Sequence, residues 1–180
     1  LAGAHVFLTD RDEARLAAVR ARLAEKHDAS RIGGCAMDVT SEASVRAGFD
    51  ACALRFGGLD LLVPNAGVAH VAEIGAMDLA AFRRVLDVNL VGVLLALREA
   101  AKWFALQRSG GCVVLSGSKN VPAPGAGFAA YSASKAAATQ LARVAALEFA
   151  PLGVRVNTIH ADAVFGDAAE GDEVPSGLWA

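Results

Sequence analysis

Short apolar runs alternate along the chain with longer stretches whose apolar positions recur every three or four residues, which is the signature of strands alternating with amphipathic helices. His5-Val6-Phe7-Leu8-Thr9 predicts a strand, and Asp10-Arg11-Asp12 opens a helix carrying Leu16, Val19 and Leu23 on one face, with Asp12 and Glu13 at its positive end. Cys35-Ala36-Met37-Asp38-Val39 predicts the next strand. Thr40 or Ser41 can cap the helix that follows past Val45, Phe49 and Leu54 to Gly57-Gly58. Leu61-Leu62-Val63 reads as a third strand, closed by Pro64-Asn65-Ala66-Gly67. One long helical pattern then runs from about Asp78 to Gln107, with Asn89 near its middle, and stops at Ser109-Gly110-Gly111. The β-rich run Gly111 to Ser118 leads through a loop holding Pro122, Pro124, Gly125 and Gly127 into an apolar helix that begins near Tyr131.

This alternation predicts an α/β fold, a parallel sheet covered by helices on both faces. There is no internal repeat and no interdomain linker, so residues 1–180 read as a single domain. The composition, 54% hydrophobic and 20% charged, excludes a disordered chain. No apolar stretch approaches the ~20 residues that span a bilayer, so a soluble, cytoplasmic protein without membrane contact is expected. With a net charge of −2 and the two signs interspersed, nothing points to nucleic acid. Cys35, Cys52 and Cys112 are far apart in apolar contexts and read as buried small hydrophobes in a reducing compartment, with no metal site implied.

The chain has one tyrosine, Tyr131, in Tyr-Ser-Ala-Ser-Lys, so phenol and Lys135 ammonium lie at i and i+4 on one helix face. An ammonium beside a phenol favours the phenolate, and a tyrosine so tuned can exchange a proton with an alcohol or carbonyl. Taken alone, Tyr-x-x-x-Lys on a helix is usually an amphipathic surface pair. The hydroxyl of Ser118, at the carboxyl end of the preceding strand, faces that tyrosine in this reading.

With these residues in order the chain resembles a short-chain dehydrogenase/reductase, over nearly its whole length. Ser118, Tyr131 and Lys135 match the family's catalytic serine, tyrosine and lysine, and Asn89 in Asp87-Val88-Asn89-Leu90 matches the asparagine that completes the tetrad. Asn65-Ala66-Gly67 matches the family's turn after its fourth strand, and Arg155-Val156-Asn157 the strand after the catalytic helix. The resemblance implies a three-layer, doubly wound Rossmann-type sheet and an NAD(P)-dependent oxidoreductase acting on a small alcohol or carbonyl. It implies that Lys135 also holds the nicotinamide ribose, that Asn89 anchors a water linking Lys135 to solvent, and that the complete protein is a homo-oligomer. Read alone, Asn89 is a buried polar helix residue with a satisfied amide.

An acid after the second strand of such a sheet can accept hydrogen bonds from the adenosine ribose. Asp10 stands there, and its charge would repel a 2′-phosphate, which favours NAD over NADP; Arg11 beside it argues the other way, and Asp10 also fits a plain cap. By resemblance Asp38 and Val39 flank the adenine, while Asn65, Ala66 and Gly67 let the backbone approach the cofactor, although Gly67 also fits a simple turn. His160, at the end of the last strand, lies near the site in this reading, yet a lone histidine is more often structural. The chain opens at Leu1-Ala2-Gly3-Ala4, which reads as the end of a helix, and it contains no glycine-rich phosphate loop. The expectation is therefore a domain truncated at both ends, part of a longer gene product.

A narrower resemblance bears on substrate. Ser118-Lys119-Asn120, Pro124-Gly125, Gly127 to Tyr131, Asp162-Ala163-Val164-Phe165 and Gly177-Leu178-Trp179 are similar to the dehydrogenase module of bifunctional rhamnulose-phosphate aldolase/short-chain dehydrogenases. Where most family members have Pro-Gly, this chain has Ala161-Asp162. The similarity implies a fused aldolase upstream and a sugar-derived hydroxy-aldehyde as substrate, while the acidic Asp167 to Glu173 stretch fits a solvated loop. A non-catalytic Rossmann-like fragment or interaction module is the competing reading, since the phosphate loop is missing from the sequence.

Overall fold

Three short side chains set where the first helices begin. Asp12, Ser41 and Asp78 accept the backbone N–H of Arg15, Ser44 and Ala81 at 3.0, 3.3 and 2.7 Å, satisfying donors that a helix start leaves open. They precede α1 (Glu13–Ala24), α2 (Glu42–Phe56) and α3 (Leu79–Leu86) in the computed structural model, which describes residues 3–162. Helix α2 ends at Gly57, whose φ of +86° is the left-handed conformation that glycine adopts without strain. The sequence signals at Ala163 to Phe165, Asp167 to Glu173 and Gly177 to Trp179 lie outside the described residues.

Among the described residues five parallel strands form two groups. Strand β1 (Val6–Asp10) pairs with β2 (Ile32–Ala36) in the register Val6↔Ile32 to Asp10↔Ala36. Strand β3 (Leu61–Leu62) pairs with β4 (Gly111–Ser116), and β4 with β5 (Val154–Ile159) in the register Gly111↔Val154 to Ser116↔Ile159. The sequence pattern predicts one sheet; among the described residues β1 and β3 are not hydrogen-bonded to each other, and α2, packed on β2 and on α4 (Gly92–Gln107), ties the two groups together. Neighbouring residues of β2 show that both faces are covered. A Cβ on Gly33 would meet the Phe56 ring of α2, and one on Gly34 the Arg20 side chain of α1.

Several boundaries differ from the sequence pattern, each for a local reason. Strand β2 starts and ends three residues earlier than predicted, because the Asp38 carboxylate accepts from both the Thr40 N–H (2.9 Å) and its hydroxyl (2.7 Å) and so turns the chain. Of the two candidate caps, Ser41 is the one that serves α2. Strand β4 stops at Ser116, leaving Gly117 and Ser118 beyond it. The long helix is divided: α3 passes into a π-helical turn over Asp87–Val91 before α4 begins. The three cysteines are half-buried, not fully buried, and burial raises the pKa of the Cys35 and Cys52 thiols.

The core is built from α2, α4, β4, the long helix α5 (Ala129–Phe149) and β5. Phe104, Val113, Leu115 and Val45 are almost wholly buried, and the Phe104 and Phe149 rings meet edge-on at 6.5 Å. Helix α5 presents Ala138, Ala142 and Ala145 inward, so its axis can approach the sheet closely and fix the position of its first turn, where Tyr131 stands.

Candidate active site

Beyond the carboxyl ends of β3 and β4 lies a cleft of about 260 Å³ whose lining includes Asn65, Gly67, Ser116, Phe128, Tyr131 and Lys135. Its position is dictated by the fold, since parallel strands end together and the connecting loops open there. Tyr131 and Lys135 reach it from the first two turns of α5. The Lys135 Nζ is 5.8 Å from the Tyr131 ring centroid, so the i, i+4 spacing places both groups as the sequence implies. Tyr131 is half-buried, with Phe128 edge-on at 6.3 Å.

Lys135 is 7% exposed, and its ammonium donates to the Ser116 carbonyl at 2.7 Å. Burial lowers its pKa from the usual lysine range, because a desolvated ammonium is costly. Gly67 lies against it: a Cβ there would sit 3.7 Å from Lys135 Nζ and 3.5 Å from Asn89 Oδ1. Gly67 has no positive φ, so its backbone conformation does not require glycine; what the missing side chain leaves open is the space beside the lysine.

Asn89, 1% exposed, is the hub of the floor. Its Oδ1 accepts from the Val68 N–H at 2.8 Å, and its Nδ2 donates to the Val68 carbonyl at 2.9 Å and to Ser134 Oγ at 3.0 Å. Ser134 in turn donates to the Tyr131 carbonyl at 2.7 Å. The side chain therefore ties the turn after β3 to α5, and the π turn is what aims it there. Ser134 and Val68 were not singled out from the sequence, since a serine on a helix and a valine in a loop carry no signal of their own.

Ser118, 6% exposed, is not among the residues lining this cleft. Its Oγ accepts from the Asn120 N–H at 3.2 Å. The structure thus brings Asn65, Gly67, Asn89, Tyr131 and Lys135 together, with Ser118 on the adjoining turn and Ser116, its neighbour on β4, reaching the lysine. Ala66 lies exposed in the same turn.

A second cleft, of about 380 Å³, is lined by Arg11, Asp38, Thr40, Ala80, Arg83, Arg84, Asp87 and Val88. Two hydrogen bonds from Thr40 hold the Asp38 carboxyl below its usual pKa range. Val39 packs instead against Gly92, where a Cβ would come within 2.9 Å of its methyl group. Asp10 accepts from the Asp12 N–H at 3.0 Å and so also supports the start of α1. Arg83 and Arg84 went unnoticed in the sequence, where two arginines on a helix read as solvated surface.

A family model for short chain dehydrogenases matches residues 1–171. The chain belongs to the short-chain dehydrogenase family. An uncharacterised oxidoreductase, YuxG, of Bacillus subtilis is 35% identical over 167 residues, 93% of this chain and 24% of that protein. Cis-4-hydroxycyclohexanecarboxylate dehydrogenase of Sinomonas cyclohexanicum is 41% identical over 68% of this chain and 49% of its own length. Sorbitol-6-phosphate 2-dehydrogenase SrlD of Erwinia amylovora superposes with a TM-score of 0.84 at 34% identity, covering 88% of this chain and 62% of that one. The chain therefore spans less than two thirds of the length of these relatives. The α/β fold with parallel strands is of the Rossmann type, as the sequence implies. Family members act on hydroxyl-bearing small molecules with a nicotinamide cofactor, and one similar structure, a gluconate 5-dehydrogenase of Burkholderia cenocepacia, is a complex with NADP. Among the described residues no helix is long and apolar enough to cross a membrane.

Proposed function

We propose that the protein carrying this chain oxidises a small alcohol, or reduces the matching carbonyl, with NAD as the favoured cofactor. The observation that carries this reading is the cleft beyond β3 and β4 in which Tyr131 and Lys135 meet the Asn65–Gly67 turn. The residues fit a dinucleotide: the Asn65–Gly67 turn brings bare backbone to the cleft beside Lys135, and the Asp38 and Arg11 cleft offers a second compartment lined by charged side chains. Asp10, Asp38, Val39, Asn65, Ala66 and Gly67 would hold the adenosine and nicotinamide ends, with Tyr131 and Lys135 contacting the latter. When bound, the nicotinamide supplies hydride transfer.

The chain's own contribution is proton handling and orientation. During oxidation the Tyr131 phenol oxygen takes the proton of the substrate hydroxyl, and the nearby Lys135 charge stabilises the negative charge carried by the phenol. Ser118 Oγ hydrogen-bonds the substrate oxygen and steadies charge that develops on it. Asn89 holds the floor on which Tyr131 and Lys135 are set, and linkage of Lys135 to solvent through a water runs past it. The acidic Asp10 disfavours a 2′-phosphate, which is the argument for NAD.

A sugar-derived hydroxy-aldehyde is the substrate class favoured by the resemblance to aldolase-fused dehydrogenases, and the similarity to a sorbitol-6-phosphate dehydrogenase supports a polyol-like substrate. The match to only 24% of the Bacillus oxidoreductase is compatible with a further domain such as an aldolase. Homo-oligomerisation through α4 and α5 is supported by the exposed apolar side chains Leu94, Leu106, Val144 and Leu147 on those helices. Nicotinamide absorbance, followed in the full-length protein with a panel of polyols and hydroxy-aldehydes, tests the reading. Turnover with none of them, or turnover that survives Tyr131→Phe, rejects it.

A further inference from the structure

His160 follows β5 and meets the peptide groups of Ser118. Its Nδ1 is 2.9 Å from the Ser118 carbonyl oxygen and 3.3 Å from the Ser118 nitrogen. On either side of Ser118 the two chains are joined by backbone bonds, Gly117 N–H to the Ile159 carbonyl at 2.8 Å and Lys119 N–H to the Ala161 carbonyl at 2.9 Å. Gly117 makes the room, because a Cβ there would lie 2.8 Å from His160 Nδ1 and 2.7 Å from a Thr158 methyl. A ring seated by a glycine, and aimed at the backbone of the serine, is a built contact.

One ring nitrogen cannot both donate to the carbonyl and accept from the N–H. The Ser118 N–H also points at Nδ1, but the carbonyl distance is the shorter and lies at the mode for N–H···O bonds, which favours a proton on Nδ1. We propose that His160 is a positioning residue for Ser118: its Nδ1–H holds the Ser118 carbonyl, fixing the peptide plane and with it the direction of the Oγ. The sequence reading places His160 near the site but not against Ser118, which lies 42 residues away. The inference rests on the dehydrogenase reading above.

The test is a double-mutant cycle in the full-length protein. An asparagine amide can occupy the place of Nδ1, whereas leucine fills the volume without a donor. His160→Leu should lower kcat by about tenfold, the scale of one net hydrogen bond, with KM for NAD unchanged, and His160→Asn should stay within about threefold of wild type. On a Ser118→Ala background, His160→Leu should have no further effect. Equal losses for Asn and Leu, or an undiminished loss in the absence of the serine hydroxyl, would overturn the proposal. Nitrogen-15 NMR of the His160 ring gives a readout free of turnover: a proton on Nδ1 supports the proposal and a bare Nδ1 refutes it. Tyr131→Phe, assayed alongside, reports separately on the dehydrogenase reading.

Discussion

The Lys135 ammonium donates to the Ser116 carbonyl at 2.7 Å, joining α5 to the last residue of β4. A cation that is mostly buried thereby has one fixed partner, and Lys135 lines the same cleft as Tyr131. Strand end, lysine and tyrosine form one unit, so changes at any of the three are read at the others.

In the proposed reaction the Tyr131 phenol, which lines the cleft beside Lys135, takes the proton from the alcohol and returns it. Tyr131→Phe removes that oxygen and little volume. We expect turnover to fall by the ~10²–10⁴-fold typical of a general acid/base, with NAD affinity within about threefold of wild type. Steady-state kinetics beside a calorimetric titration check both halves, and activity within threefold of wild type sinks the assignment.

Burial disfavours charge on Lys135, so its pKa in the folded state lies below the ordinary 10.5. Between the folded value and 10.5 the unfolded chain binds more protons than the folded one, and the unfolding free energy therefore rises with pH across that window. Below the folded value the penalty is present in full. Urea unfolding at a series of alkaline pH values should show wild type gaining on Lys135→Met as pH increases; a constant difference between the two would show that the ammonium is not desolvated.

Asn89→Ala leaves the N–H and the carbonyl of Val68 without their partner and frees the Ser134 hydroxyl. A loss of about 2–3 kcal/mol in unfolding free energy is expected. Hydrogen exchange localises it: protection should drop at Val68 and in the first turns of α5 and remain in α1. Uniform loss across the chain would mean that Asn89 holds no particular junction.

In the proposed reading, opposing charges set the cofactor choice. Asp10 would repel a 2′-phosphate, while Arg11, Arg83 and Arg84, which line the cleft with Asp38, would attract one. Asp10→Ser should raise kcat/KM with NADP relative to NAD, and serine can still accept from the N–H at position 12. A wild-type enzyme that already prefers NADP would show that the arginines outweigh the acid.

Much of this was legible in the sequence because it is local. The Tyr131–Lys135 pair follows from helical spacing, a cap at Thr40 or Ser41 from residue type, and the order of strands and helices from periodicity. Less visible was whatever depends on side chains closing across long stretches of chain. Nothing in the residues after Cys35 announces that Asp38 bonds Thr40 rather than extending the strand, and nothing around Asn89 announces a π turn, because an amphipathic pattern reads through it almost unchanged. The clasp between Ser118 and His160 and the arginine-lined cleft are likewise products of topology.

The turn at Asp87–Val91 carries a consequence for how this helix can change. A π turn is a helix holding one residue too many, and it is less well bonded than the α-helical turns on either side. Deleting a residue there would let α3 run smoothly into α4 and suit the helix better on its own. It would also swing one flank by ~100° relative to the other, the angle between successive helical residues. Asn89 would then point away from Val68 and Ser134, or α4 would lose its seat against Val39. The helix that packs this cleft is thus held in an inferior form by what it must reach, and improving it as a helix would dismantle it as a support.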